Sequence, residues 1–348
     1  MYRSVANFVE TISIICSSFL PAAWDMSGRI AERLGMNRGD YVTSIVFVLA
    51  WHALDTLKNV LWTVYGVLFV EQQPDGVRRI TTLLRDTVAS TAVCFTLAPP
   101  MVAGIVFVLE TSTIATPLQI WAFVFGAQLI FLRLYPAFIA PMFNRYQVLP
   151  TGPLRSCIER VARSVDFPLK NIYVTDGSSR SAHMNAYIHG IGQSQRVVLY
   201  DTLIERCTDR EIAAVVAHEI GHWKERHTEY LAMTQQVLML VQFALFETLR
   251  RDDKFLAAFG FAPGVRPVIV SMAIFTGIVA PLDKAATFML NTMTRKFEFE
   301  ADAFATDTLL GDALISALEK FDQTRETRPV APTPFDTHPP NDERIHAI

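Results

Sequence analysis

Six apolar windows, most of them long enough to cross a bilayer as a helix, constrain the fold of this 348-residue chain more than any other feature. They cover approximately residues 5–23, 42–70, 88–109, 117–141, 228–249 and 266–296. A helix of about 20 apolar residues spans the hydrocarbon core, and inside lipid only helices and closed barrels satisfy their own backbone hydrogen bonds. The pattern therefore predicts a mainly α, polytopic membrane protein with about six spanning helices.

A polar segment, residues 142–227, separates the fourth window from the fifth and predicts an α/β domain on one side of the membrane. Residues 154–165 indicate an amphipathic helix, and the β-branched or aromatic runs 171–175 and 196–200 indicate strands. The second strand is expected to offer an edge to an extended peptide. Thr208 and Glu211 form a capping box that begins a further helix, which nothing in the sequence stops before Arg250.

Composition argues against several kinds of partner and site. The net charge is −3 and the pI is about 6.2, so the chain lacks the basic character that nucleic-acid binding requires. The cysteines have no regular spacing, which argues against disulfides and against a thiolate zinc site. Lysine and arginine are nearly balanced between the two sides, so charge alone does not fix the orientation in the membrane.

An HExxH motif lies in the helix that the capping box begins. His218 and His222 are four residues apart, so they share a helical face and can bind one metal ion, while Glu219 can reach a metal-bound water. This pattern is typical of zinc hydrolases. The alternative is a helix with two surface histidines. His227 is five residues beyond His222, which predicts that it points away from the shared face and lies at the surface.

A catalytic zinc site needs a third protein ligand, and the best candidate is Glu298, after the sixth window. Asp302 is four residues further on and therefore on the same helical face, where it can orient a ligand imidazole through its second nitrogen. The alternative is a solvated acidic face, because Glu300 is close in sequence. The residues from 322 to the end are rich in proline and polar, which predicts an extended tail outside the core.

Several motifs in a fixed order carry a resemblance to a known family. They are HEIGHW at residues 218–223, FEFEADAFA at 297–305, SAHMNAY at 181–187, RVVLYDTLI at 196–204, and HPP followed by ER at 338–344. Together they resemble the type I CaaX prenyl endopeptidases. These are integral membrane zinc proteases of the endoplasmic reticulum and inner nuclear envelope, with the active site facing the cytosol.

The resemblance implies one Zn²⁺ per chain and a role for each matching residue. The implied zinc ligands are His218, His222 and Glu298, the general base is Glu219, and the substrate contacts are Asn185, His338 and Arg344. The substrates implied are prenylated proteins or peptides ending in CaaX, which lose their C-terminal tripeptide through attack of zinc-bound water. The family fold is a ring of seven helices around an intramembrane chamber. Because six windows are present, we expect the family's first spanning helix to be absent here.

These expectations divide the chain into four parts. N-terminal membrane helices occupy 1–141, the catalytic-domain insert with the HExxH helix 142–227, further membrane helices 228–296, and the third-ligand helix with a substrate-contacting tail 297–348. Two other functions stay open. One is a quality-control zinc endoprotease like the related bacterial heat-shock membrane endopeptidases, and the other is an inactive scaffold with a structural zinc.

Overall fold

A computed structural model of the chain describes residues 17, 19–71, 76–111, 116–179, 184–192, 194–262, 264–324 and 338–348. The first predicted apolar window lies mostly outside these residues. The chain forms two compact units. The first comprises Met1–Ile139 and Gln236–Leu282, and the second comprises Ala140–Gln235 and Asp283–Ile348.

Helices dominate the described residues. In chain order the α-helices are α1 Phe19–Arg33, α2 Asp40–Tyr65, α3 Gly76–Thr111, α4 Thr116–Leu134, α5 Ala140–Phe143, α6 Pro153–Ser164, α7 Asp201–Arg206, α8 Asp209–Lys224, α9 His227–Arg250, α10 Asp253–Ala257, α11 Val268–Asp307, α12 Gly311–Thr324 and α13 Asn341–Ala347. Short π-helical segments follow α2 at Gly66–Glu71 and α4 at Tyr135–Ile139, and a 3₁₀ turn lies at Gly177–Ser179.

Four helical segments among the described residues are long and apolar enough to cross a membrane: Asp40–Phe69, Ile80–Thr111, Thr116–Phe143 and Val268–Asp307. They coincide with the second, third, fourth and sixth predicted windows, which confirms those windows as long apolar helices. The fifth window forms α9 but is not among the four, because the three glutamines along α9 lower its hydropathy. Within the first unit, α3 and α4 pack around Val106, Leu109 and Ile120, which are almost fully buried.

A four-stranded sheet forms the centre of the second unit. Its strands are β1 Tyr146–Val148, β2 Leu169–Thr175, β3 Ala186–Ile191 and β4 Ser194–Tyr200, in the order β1-β2-β4-β3. The strands predicted at 171–175 and 196–200 are confirmed. The predicted free edge at 196–200 is wrong, because β3 pairs antiparallel with β4 from Ser194 to Leu199 and β2 pairs with its other side. β4 is therefore central, and β1 and β3 are the two edge strands among the described residues.

The helix α8 carries the HExxH motif and ends earlier than the sequence predicts. It stops at Lys224, Arg226 adopts a left-handed conformation with φ of 56°, and α9 begins at His227. The prediction of one helix continuing to Arg250 is wrong. No glycine or proline marks this break, so no local pattern in the sequence predicts it. The turn directs the His227 ring back toward α8, where the ring is buried.

The C-terminal end also differs from the extended tail predicted for it. Residues 341–347 form α13, and Arg344 within it is only 7% exposed. The segment is polar, as predicted, but it packs into the second unit because Arg344 is paired with buried carboxylates. The remainder of the predicted tail, residues 325–337, lies outside the described residues.

Glu211 ties the start of α8 to α12. Its carboxylate accepts hydrogen bonds from Lys320 Nζ and Ser316 Oγ, both at 2.6 Å, and it closes the predicted capping box with Thr208. Burial acts to raise the pKa of Glu211, but these hydrogen bonds outweigh it and lower the pKa to about 2.

We expect Glu211→Gln to destabilise the protein near neutral pH by roughly 1 kcal/mol, with a correspondingly lower melting temperature. A carboxylate whose folded-state pKa is depressed stabilises the fold above its unfolded pKa, here 4.5, and the effect is lost as the pH falls through about 2. The melting-temperature difference from wild type should therefore be largest above pH 4.5 and shrink toward zero near pH 2. A pH-independent difference would contradict this assignment.

Candidate metal centre

Two histidines of α8 and one glutamate of α11 converge on a single point. The Nε2 atoms of His218 and His222 are 3.2 Å apart. Glu298 Oε2 lies 3.6 Å from the first of these nitrogens, and Oε1 lies 3.5 Å from the second. One donor atom from each residue can be chosen so that all three lie within 4.8 Å of one another. The structure thus brings together the three residues that the sequence predicts as ligands.

The donor set fits a divalent metal ion. The Nδ1 atoms of His218 and His222 are both in contact with other side chains, so their Nε2 atoms are the ones that face each other and Glu298. Glu298 Oε2 is buried and, among the described residues, has no hydrogen-bond partner. Arg344 Nη1 lies 3.3 Å from this oxygen without hydrogen-bond geometry. Two imidazole nitrogens and one carboxylate oxygen are a donor set typical of catalytic metal sites with three protein ligands.

Small residues allow α8 and α11 to approach closely enough to share these donors. A side chain at Gly221 would place its Cβ 3.1 Å from the Cα of Ala301 and 3.2 Å from Phe304 Cβ. Ala301 and Ala305 are fully buried. The glycine between Ile220 and His222 therefore favours the close approach of α11, because a Cβ there would lie nearer to Ala301 and Phe304 than in ordinary van der Waals contact.

Asp302 and Arg344 surround the outer side of His218. The Nδ1 atom of His218 lies 2.9 Å from Asp302 Oδ1, the contact that the i, i+4 spacing from Glu298 predicts. Arg344 donates two hydrogen bonds to Asp302, at 2.6 and 2.8 Å. The burial of Arg344 between Asp302 and Glu298 could not be foreseen from the sequence, because the pairing joins segments 42 and 46 residues apart.

His227 contacts the candidate metal site, an arrangement that the sequence does not predict. It is 2% exposed, so the prediction of a surface histidine is wrong. Its Nδ1 atom lies 3.0 Å from His222 Nδ1, and its Nε2 atom lies 3.0 Å from Glu300 Oε2. The prediction assumed that the helix continued past Lys224. The only signal in the sequence was the histidine itself, five residues after the motif.

A cavity of about 400 Å³ opens beside these residues within the second unit. Its lining contains the predicted site residues Asn185, His218, Glu219, Glu298, His338 and Arg344. The same wall includes Ala186, the first residue of the edge strand β3, and apolar side chains of α12 such as Leu318 and Phe321. The structure therefore gathers five separate segments of the chain around one cavity.

Charges in the cavity are arranged around the two glutamates. Burial raises the pKa of the Glu219 carboxyl, although the neighbouring histidines oppose the change. His338 Nδ1 lies 3.0 Å from Glu298 Oε1, and this contact raises the pKa of His338. The His338 side chain is 61% exposed, so it remains accessible to a molecule that enters the cavity.

Apolar helices of spanning length, together with an HExxH helix and an acidic residue from a later helix, define a membrane metalloendopeptidase. Two family models match the chain. The model described as peptidase family M48 matches residues 149–348, and the model described as CAAX prenyl protease N-terminal, five membrane helices, matches residues 1–145.

Known relatives and a solved structure agree with these matches. The chain is 36% identical to a CAAX prenyl protease 1 homolog from Arabidopsis thaliana, over 100% of this chain and 84% of the relative. It is 30% identical to a homolog of the same name from Homo sapiens, over 97% and 80%. The crystal structure of S. mikatae Ste24p superposes with a TM-score of 0.87 at 27% identity, covering 99% of this chain and 84% of that one. The chain belongs to the CAAX prenyl proteases of peptidase family M48, and it is a multi-pass membrane protein.

Proposed function

We propose that this protein is a zinc endopeptidase that removes the C-terminal tripeptide from prenylated CaaX proteins. The observation that carries the proposal is the cavity beside the metal-ligand cluster, whose wall includes His218 and Glu298 of that cluster together with Glu219 and the start of the edge strand β3. The names of the relatives supply the substrate class, because the curated homologs are called CAAX prenyl proteases. The apolar spans are consistent with substrates held at a bilayer by an isoprenoid.

His218, His222 and Glu298 would hold one zinc ion. When bound, zinc supplies a Lewis acid that polarises the scissile carbonyl and makes water easier to deprotonate. Asp302 accepts the Nδ1 proton of His218 and so keeps the Nε2 lone pair of that ring available. Arg344 holds Asp302 in place through its two hydrogen bonds.

Glu219 is the proposed general base. It follows His218 directly in α8, lines the cavity, and can take a proton from the attacking water. The water oxygen forms a bond to the carbonyl carbon, the carbon–nitrogen bond breaks, and the proton passes from Glu219 to the leaving amine. His338 lies next to Glu298 with an exposed side chain, where it can donate a hydrogen bond to the developing oxyanion.

The substrate peptide is expected to lie in an extended conformation along β3. Asn185 immediately precedes this strand, is exposed, and lines the cavity together with Ala186. Addition of a strand to a free sheet edge binds a peptide through its main chain, and Asn185 can fix the end of that strand. This arrangement replaces the edge at 196–200 that the sequence predicted.

We place the protein in the endoplasmic reticulum membrane, and also in the inner nuclear membrane, with the cavity facing the cytosol. The support is the family resemblance together with the apolar helices. Accessibility of α13 to added protease in sealed microsomes tests the orientation.

The central test compares one CaaX peptide in farnesylated and unmodified forms, using purified full-length protein in detergent. We expect release of the tripeptide from the farnesylated peptide, loss of activity with a zinc chelator, and recovery when Zn²⁺ is added back. Equal cleavage of the two peptides would favour the quality-control endoprotease. Absence of cleavage by zinc-loaded protein would contradict the proposal.

A further inference from the structure

His227 connects the second predicted metal ligand to a carboxylate. The ring lies between His222 and Glu300, with its two nitrogens 3.0 Å from a ring nitrogen of the first and a carboxylate oxygen of the second. It is buried at the point where the chain turns from α8 into α9. The ring also stacks on Phe297, with centroids 4.2 Å apart and planes 8° apart. These contacts fix both the position and the plane of the imidazole.

The acceptor character of a carboxylate assigns the protons in these two contacts. A carboxylate accepts only, so the Nε2 atom of His227 carries the proton shared with Glu300. In the neutral ring the Nδ1 atom of His227 is then an acceptor, and it takes the Nδ1 proton of His222. His222 is left with a lone pair on Nε2, which is the atom that faces His218 and Glu298. A reversed pattern would put the proton on Nε2 of His222 and remove it as a ligand.

We propose that His227 is the positioning residue for His222, holding it in the metal-binding tautomer through a chain of hydrogen bonds from Glu300. The inference rests on the proposed zinc site and deepens it. The two histidines of the motif would then be oriented by different devices. His218 contacts the carboxylate of Asp302 directly, whereas His222 reaches a carboxylate through a second imidazole. Partners of this kind typically change metal affinity by about 10- to 100-fold.

Zinc affinity tests the proposal without depending on peptide cleavage. Full-length protein is stripped of metal, and its zinc dissociation constant is measured by competition with a chromophoric chelator. We expect His227→Phe, which keeps an aromatic ring against Phe297 but cannot accept a proton, to bind zinc about 10- to 100-fold more weakly. His227→Asn, whose side-chain carbonyl can replace the Nδ1 acceptor, should recover part of this loss.

Glu300 provides a second pair of variants. Glu300→Gln keeps a carbonyl oxygen that can accept from His227 and should bind zinc close to wild type, whereas Glu300→Ala should bind more weakly. The matched control is Lys296→Ala, because Lys296 is 74% exposed and its ion pair is with Oε1 of Glu300, at 3.3 Å, whereas His227 contacts Oε2. This control is expected to leave zinc affinity unchanged.

The measurements separate failure of this inference from failure of the proposed function. If wild-type protein does not bind zinc, the proposed function fails. If it binds zinc and His227→Phe binds equally well, the positioning role is overturned. The visible spectrum of the Co²⁺-substituted protein and the melting temperature of the metal-free form distinguish positioning from general instability. A positioning role predicts that His227→Phe changes the Co²⁺ spectrum and leaves the metal-free melting temperature unchanged. An unchanged spectrum with a lowered metal-free melting temperature would contradict that role.

Discussion

Replacing Glu219 with glutamine is expected to lower kcat for cleavage of a farnesylated CaaX peptide by about 10²- to 10⁴-fold while zinc binding is retained. The amide keeps the shape of the side chain but cannot take the proton of the attacking water. Zinc binding should persist because the three donor atoms belong to His218, His222 and Glu298. The measurement pairs steady-state kinetics with zinc content by atomic emission on the same preparation.

The matched control for this variant is Glu225→Gln, an exposed glutamate at the end of the same helix. It changes the charge by the same amount without touching the cavity, and its kcat should equal that of wild type. Two results would count against the assignment of Glu219 as the general base: full activity in the glutamine variant, or loss of zinc from it.

Arg344→Ala is expected to have the largest effect on stability of any single substitution at this site. The guanidinium is 7% exposed and pairs with Asp302 and Glu298, which are 1% and 3% exposed. Removing one partner of a buried ion pair leaves an uncompensated charge and costs about 3–5 kcal/mol. Zinc would neutralise part of the charge on Glu298, so we expect a larger fall in melting temperature for the metal-free protein than for the zinc-loaded form.

Two further variants sharpen this test. Glu343→Ala changes the neighbouring exposed residue of α13 and should leave the melting temperature almost unchanged. Arg344→Lys keeps the charge but cannot make both hydrogen bonds to Asp302, so its stability should lie between those of wild type and the alanine variant. If Arg344→Ala melts at the wild-type temperature with and without zinc, the ion-pair account of α13 is incorrect.

The parts of the site that the sequence predicts are those governed by helical periodicity. His218 and His222 share a face because they are four residues apart, and the same spacing relates Glu298 to Asp302. The long apolar helices were predictable for a similar reason, since length and hydropathy are local properties that tertiary contacts do not change. The assembly of the three donors confirms that the two helices meet, while the roles of these residues in zinc binding and catalysis remain predictions.

The predictions that are wrong share one physical cause. Each concerns a feature that depends on contacts between segments distant in sequence. The helix breaks at Arg226, and no glycine or proline marks the break. A continuous helix would place His227 at the surface, whereas the break turns it toward His222. The central position of β4 depends on β3, a strand that the sequence analysis did not predict. The burial of Arg344 depends on carboxylates supplied by α11.

The position of β3 at the edge of the sheet has a consequence for substrate selection. In the proposed binding mode a peptide pairs with β3 through its main chain, which supplies affinity that depends little on sequence, while side-chain pockets supply specificity. In that mode the main-chain pairing alone does not select one substrate over another. The proposed substrates would then be selected by how they reach the cavity. The end of the substrate chain must be flexible, and a lipid anchor must keep that end at the bilayer long enough to enter the cavity. Lipidation of the substrate would therefore be needed for entry into the cavity, and the peptide sequence would affect the rate of cleavage only after entry.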